Sequence, residues 1–207
     1  MEETPSPARH SPRQDRSTQR VELILDTTAA LIDEVGYGSI TPTLIARRAT
    51  MSGPAIYRYF DDLDAIVVAL AKRNLERYLE RSQLLLEAAA DWQEAIAGSV
   101  AAYSEFYRDE PGFRWLRLGD PIAGNLLSAN EGNKTLLARQ VCELFVTRYE
   151  VDSRPDLLEH VEVMVEIADA LIARAFESDP DGDRFFLDEC TRVMVSYLGE
   201  YLAQPIP

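Results

Sequence analysis

The sequence predicts an all-α fold in which a small N-terminal three-helix domain is carried on a larger helical domain, about nine helices in all. Three observations predict it. Apolar residues recur at three- and four-residue steps through most of the chain, Pro, Gly and Asp cluster at the breaks between those stretches, and no run alternates as a strand does. No internal repeat or heptad array competes.

The elements follow in order. Residues 1–16 hold Pro5, Pro7 and Pro12 among Ser6, Ser11, Arg9, Arg13 and Arg16, and are expected to be a disordered arm because they are too polar and proline-rich to order themselves. From Ser17 or Thr18 the spacing turns helical through Val21, Ile24, Leu25, Thr28, Ile32 and Val35, until Gly36 and Gly38 end it. Thr41 before Pro42 is a hydroxyl N-cap ahead of a proline at the first helical position, where the missing N–H costs nothing. That helix runs to about Ala49. Thr50 and Met51 make a short turn, and Ser52 is expected to cap a helix from Pro54 to Phe60, after which Asp61 and Asp62 cap the next.

A long helix from about Leu63 to Ala89 joins the small domain to the larger, with Leu63, Ile66, Val67, Leu70, Leu75, Tyr78 and Leu79 on its apolar side. Further helices are expected near 91–109, 111–118, 123–150, 155–177 and 184–203. They are separated at Glu110-Pro111, Gly119-Asp120-Pro121, Asp152-Ser153-Arg154-Pro155 and Asp179-Pro180-Asp181-Gly182. The expected organisation is therefore 1–16 as an arm, 17–62 as the small domain and 63–207 as the large one.

With 207 residues, 46% of them hydrophobic, the chain can bury a substantial core. No run approaches the roughly 20 apolar residues of a membrane helix. Glu2, Glu3 and several prolines stand where a signal peptide would be apolar, so a soluble, cytoplasmic protein with no membrane partner is expected. Cys142 and Cys190 are far apart and read as small buried hydrophobes rather than as a disulfide or metal pair. The formal charge of −14 taken as one number argues against nucleic acid, since phosphate is met by Lys and Arg. Its distribution reverses that. Pro5 to Phe60 hold seven Arg against five acids, whereas residues 61–207 hold 14 basic residues against 28 acids, so the two parts suit different partners.

Two short helices joined by a tight turn under a longer first helix form the helix-turn-helix arrangement, in which the second short helix enters the major groove of double-stranded DNA. Residues 41–60 fit it. Ala46 and Ala49 let the two axes approach, and Leu44, Ile45, Ile56 and Phe60 wedge their angle. Ser52, Gly53, Pro54 and Ala55 begin the recognition helix with short side chains, so its backbone N–H groups can come close to phosphate or base edges. Thr41, Thr43, Tyr57, Arg58 and Tyr59 carry donors for phosphate oxygens, and Arg47 and Arg48 project from the helix that crosses the backbone. A solvated basic face is the other reading of Arg47 and Arg48, and a core aromatic that of Tyr57. The Arg-bearing arm is either a solvated tail or reaches the minor groove.

The stretch Ile40 to Phe60 resembles the head of the tetracycline-repressor (TetR) family of regulators. In that family a Thr begins the second helix, Ile-Ala sits inside it, a Ser begins the recognition helix and Tyr-x-x-Phe closes it; here these are Thr41, Ile45-Ala46, Ser52 and Tyr57-Arg58-Tyr59-Phe60. The resemblance covers residues 17–70 well and the body only in its helical layout. Two positions depart from the pattern. Thr50 stands where the family usually has Gly in the turn, so the turn must avoid a left-handed residue or accept strain. Leu63 stands where the family usually has a phosphate-pairing Lys, which puts more weight on Arg47, Arg48 and the arm.

In the body, Leu157 to Phe176 is apolar on nearly all sides, with Val161, Met164, Ala168 and Leu171 on one face, more than one monomer core is expected to cover. The last helix repeats the pattern with Val193, Met194, Tyr197 and Tyr201. The two read as half of a four-helix bundle across a two-fold axis, which is also how the resembled family forms its homodimer, or else as an ordinary central core helix pair. The resemblance further implies a small-molecule effector site, and a largely apolar one is expected at Tyr103, Phe106, Tyr107, Trp115, Leu118, Phe145 and Tyr149. The same aromatics also read as packed core. Arg114 and Arg117 read either as partners of an acidic ligand group or as a solvated pair.

The function implied is a ligand-responsive repressor that binds a palindromic operator as a dimer and is released by its effector, with activation as the other sense. No catalytic residue, cofactor or metal is expected: His10 and His160 are the only histidines, and no phosphate loop or nucleophile constellation is present. The alternative is a helical protein-protein adaptor whose head no longer binds DNA.

Overall fold

A computed structural model of the chain describes residues 12–115 and 133–205. Among these are eight α-helices, one 3-10 turn at Tyr37–Ser39 and no strand. The helices are α1 Pro12–Val35, α2 Pro42–Arg48, α3 Gly53–Ile56, α4 Leu63–Ala88, α5 Trp92–Asp109, α6 Asn133–Arg148, α7 Leu157–Ala175 and α8 Arg184–Leu202.

Helix starts are capped by the side chains the sequence offers. Thr41 Oγ1 accepts the Leu44 N–H at 3.2 Å, Asp62 Oδ1 that of Ala65 at 2.7 Å and Asp91 Oδ1 that of Glu94 at 2.8 Å, each worth about 1 kcal/mol. Ser52 differs from expectation: it occupies the N-cap position of α3 with extended backbone, but its side chain makes no capping bond. The recognition helix itself is shorter than expected, and residues 57–59 continue it only as a turn. Thr50 takes the strained alternative, with φ of 55°, at a cost of about 1–2 kcal/mol relative to glycine.

Other boundaries shift too. α1 starts at Pro12, so residues 12–16 are helical rather than part of a disordered arm; residues 1–11 lie outside the described residues. Residues 111–115 form turns, not a helix, and the rest of the helix expected to 118 lies outside the described residues, as does the start of the one expected from 123.

Two hydrophobic cores share α4. The first gathers Ile24, Leu25, Leu31 and Ile32 of α1, Ile45 and Ala46 of α2, Ile56 of α3, and Ile66, Val67 and Leu70 of α4. The second begins at Leu75 and Tyr78 and runs through α5 to α8. Between the two, Asn74 is buried and neither atom of its amide finds a hydrogen-bond partner among the described residues. The head therefore takes in the first two turns of α4.

Head and body also meet beside α4. Arg73 is buried and donates to Glu22 at 3.0 Å and Asp26 at 2.7 Å, both on α1. Gly112 donates its N–H to Asp33 at 2.9 Å, in a left-handed conformation (φ 74°) with its Cα against Ala29, where an added Cβ would lie 3.1 Å from the Ala29 Cα.

The packing of α7 corrects the expected dimer face. α7 lies between α6 and α8 with α5 against it, and these neighbours cover most of its apolar surface within one chain. Val161, Met164, Met194 and Tyr201 are consequently buried inside the monomer. Tyr201 is held there by its hydroxyl bond to Asp156 at 2.6 Å and by the His160 ring stacked at 3.8 Å. Ala168, Leu171, Val193 and Tyr197 are only half-buried, and Val163 and Phe185 are exposed.

Candidate functional site

The buried side of the α2–α3 unit is apolar, and its polar side chains are left on one outer surface. Thr41, Thr43, Arg47, Arg48, Ser52, Pro54, Tyr57 and Arg58 are exposed there, and Gly53, Ala55 and Tyr59 are half-buried. Tyr57 is 56% exposed, which excludes the core-aromatic reading. The Thr41 hydroxyl accepts its capping bond and so keeps its own hydrogen to donate to a phosphate.

Arg47 and Arg48 separate. Arg48 is ion-paired with Glu34 of α1, with both side chains about half exposed at the head's surface. A second basic group sits nearby. Arg16 and Arg20, one turn apart on α1, line a groove with Arg58 and Tyr59, and the groove continues past Thr50, Ser52 and Ala55. Sequence reading put Arg16 in the arm and passed over Arg20. Their i, i+4 spacing and the helix-forming character of Arg were the available signals.

Leu63 is half-buried in the head core, and Asp61, Asp62 and Asp64 surround the start of α4. Three carboxylates suit a helix N-terminus but repel phosphate. The start of α4 therefore offers phosphate no cation, and the exposed arginines of the head lie elsewhere, at Arg16, Arg20, Arg47, Arg48 and Arg58.

In the body, a cavity of about 60 Å³ lies between α4, α5, α6, α7 and α8. Its apolar walls include Leu86, Ile96, Val100, Leu137, Val141, Phe145, Val161, Met164, Val165, Ile172 and Met194. Tyr78, Ser82, Ser99, Tyr103 and Asp169 are the polar residues on it. Ser82 and Ser99 donate their hydroxyls to the carbonyls of Leu79 and Ala95. Tyr103 donates to Asp169 Oδ1 at 3.0 Å, and burial together with that carboxylate pushes its pKa well above the usual phenol range. Lys134 reaches Asp169 Oδ2 at 3.0 Å and also pairs with Glu166. Burial disfavours its ammonium, but those bonds outweigh it and raise its pKa.

The expected aromatics do not share one pocket: Tyr103 and Phe145 are on the cavity, and Tyr107 and Trp115 are on a separate cleft. Phe106 and Tyr107 pack edge-on against the fully buried Phe113, at 5.6 and 6.2 Å between ring centres, and Tyr149 turns its hydroxyl to the Leu86 carbonyl. The open cleft also takes in Arg114, Asp33 and Arg174, and Leu118 and Arg117 lie outside the described residues. Arg114 is not a solvated partner of Arg117: it donates to the carbonyls of Tyr107 and Pro180 and lies over the Phe176 ring. Tyr78, one turn-register along α4, was legible only as a core residue.

Residues 24–70 match the family model for bacterial regulatory proteins of the tetR family, and residues 90–202 match that of the tetracyclin repressor-like C-terminal domain. The chain belongs to the TetR family. A TetR-family transcriptional regulator from Streptomyces coelicolor is 33% identical, with a TM-score of 0.71 over 87% of this chain and 98% of that one. Two more distant TetR-like folds were solved with ligands. FadR from Bacillus subtilis, in complex with stearoyl-CoA, is 16% identical, with a TM-score of 0.66 over 85% of this chain and 98% of that one. RolR, in complex with resorcinol, is 18% identical, with a TM-score of 0.61 over 93% and 97%. Regulators of the TetR family are DNA-binding transcription factors with a ligand-binding C-terminal domain, not enzymes. Among the described residues, this TetR regulator has no helix long and apolar enough to cross a membrane.

Proposed function

We propose that this regulator is a cytoplasmic repressor that binds a palindromic operator as a homodimer and leaves it when a small, largely apolar effector enters the body cavity. The observation that carries the reading is the pairing of a basic, solvent-facing head with an apolar cavity between the body helices in an otherwise acidic chain. Residues 17–62, with the first turns of α4, act as the DNA-binding domain and the remainder as the effector and dimerisation domain.

Arg16, Arg20, Arg47 and Arg58, with Thr41, Thr43, Tyr57 and Tyr59, hold the phosphates, while Ser52 to Ala55 approach the base edges. Arg48 acts through Glu34 to fix α2 on α1. Pairing uses the outer face of α7 and α8, where Val163, Leu171, Val193, Tyr197 and Phe185 leave apolar surface open. The solved complexes of RolR with resorcinol and FadR with stearoyl-CoA support a ligand role for this kind of body. At about 60 Å³ the cavity is smaller than the roughly 150 Å³ known to hold benzene, so a ring-sized effector must push its walls apart. That requirement gives the ligand a preference for one conformation of the body, which is what release needs.

Selection of bound fragments from random DNA, followed by salt-dependent mobility shift, tests the reading. A palindromic site with half-sites about one helical turn or slightly more apart, bound by a dimer, is expected. A single asymmetric half-site contradicts the dimer, and no binding at any salt favours the helical adaptor.

A further inference from the structure

We propose that the effector is an uncharged, ring-sized molecule bearing a hydroxyl group, held between the Tyr78 hydroxyl and the Asp169 carboxylate; this rests on the reading of the body cavity as the effector site. Tyr78 is 4% exposed and lines the cavity, its ring fixed edge-on against Tyr103 and Phe106 at 5.4 and 5.7 Å. Its hydroxyl has no hydrogen-bond partner among the described residues. A hydroxyl on the cavity wall with no bond to the protein is free to bond to whatever occupies the cavity, which a phenylalanine of the same shape could not do. Burial holds this phenol well above its usual pKa, and it stays an O–H donor at any physiological pH.

Asp169 supplies the complementary function. A carboxylate has about four acceptor sites, of which Tyr103 and Lys134 occupy two. Asp169 is the one charged side chain on the cavity among the described residues, and Lys134, which neutralises it, is not part of the lining. An anionic ligand would face that carboxylate in a low-dielectric space with no cation to meet it, and a cationic ligand would find the charge already paired. A neutral hydroxyl both donates to Asp169 and accepts from Tyr78. The remaining walls, Val100, Val141, Phe145 and the adaptable Met164 and Met194, take a hydrocarbon ring.

The test uses the full-length protein and four probes of one shape: para-ethylphenol, ethylbenzene, para-ethylbenzoate and para-ethylbenzylamine. Affinity is measured by calorimetry, and entry into the cavity by the methyl NMR signals of Met164 and Met194. Para-ethylphenol is expected to bind at least about tenfold more tightly than the other three and to move both methyl signals. Tyr78→Phe is expected to remove that advantage over ethylbenzene without lowering the melting temperature, because it deletes no bond within the protein. Asp169→Asn is expected to raise para-ethylbenzoate affinity. Binding that moves the methyl signals but ignores probe charge and the Tyr78 substitution overturns this proposal and leaves the cavity reading intact. Binding that leaves both signals in place, or no binding by any probe, overturns the cavity reading and the proposal with it.

Discussion

The head and the body of this chain carry their working residues in opposite ways. In the head, Arg20, Arg58, Tyr57 and Thr43 stand outside a core they do not support, and the core is built from residues 24–70. In the body, the residues on the cavity are themselves the core, drawn from five helices between Tyr78 and Met194. A surface that only touches a partner can change without loss of fold, whereas removing an apolar cavity wall also removes core. Recognition of DNA and recognition of effector should therefore respond differently to mutation.

The largest expected effect breaks the body. Ile172 is fully buried and lines the cavity, so Ile172→Ala should cost about 2–5 kcal/mol in urea unfolding and alter effector binding at the same time. The head behaves in the contrary manner. Arg20→Ala with Arg58→Ala should leave stability within about 0.5 kcal/mol, yet lower the slope of log affinity for operator against log salt by about 2, read by fluorescence anisotropy across a salt series. If the double variant loses stability instead, the two regions are not built on different rules.

Two positions between the regions sharpen the contrast. Asn74 is buried without a partner, and Asn74→Leu should raise stability by about 1–3 kcal/mol, because it removes a desolvated amide and no bond. Gly112→Ala should cost about 1–2 kcal/mol, since φ of 74° and the closeness of Ala29 both oppose a side chain. It should leave both binding activities in place and reduce the response of one to the other. The smallest effect concerns the cysteines. Burial pushes the thiols of Cys142 and Cys190 up to about 11, with Glu162 and Glu159 adding to it at Cys142, so both should alkylate slowly at pH 8 in the folded protein and rapidly in urea.

The order and extent of most helices could be read from the chain because apolar spacing, caps and Pro-Gly breaks are local. Thr41, Asp62 and the turn at Thr50 are examples. The first helix began earlier than expected because Pro12 is well placed at a helix start, and the arginines after it favour helix. What could not be read was set by packing at long range. Glu34 pairs with Arg48, Phe113 claims the aromatics of α5, and α5, α6 and α8 cover the face of α7 that looked spare. Tyr78 showed in the sequence only as a member of an apolar stripe. Its unpartnered hydroxyl is a property of its neighbours.

That head and cavity are two ends of one linked equilibrium is tested most directly by titrating para-ethylphenol into the protein with and without saturating operator. Linkage requires operator to weaken the ligand by the same factor as the ligand weakens operator. Equal factors of about fivefold or more in both directions are expected. A ligand affinity that operator leaves unchanged would contradict the coupling of the two regions.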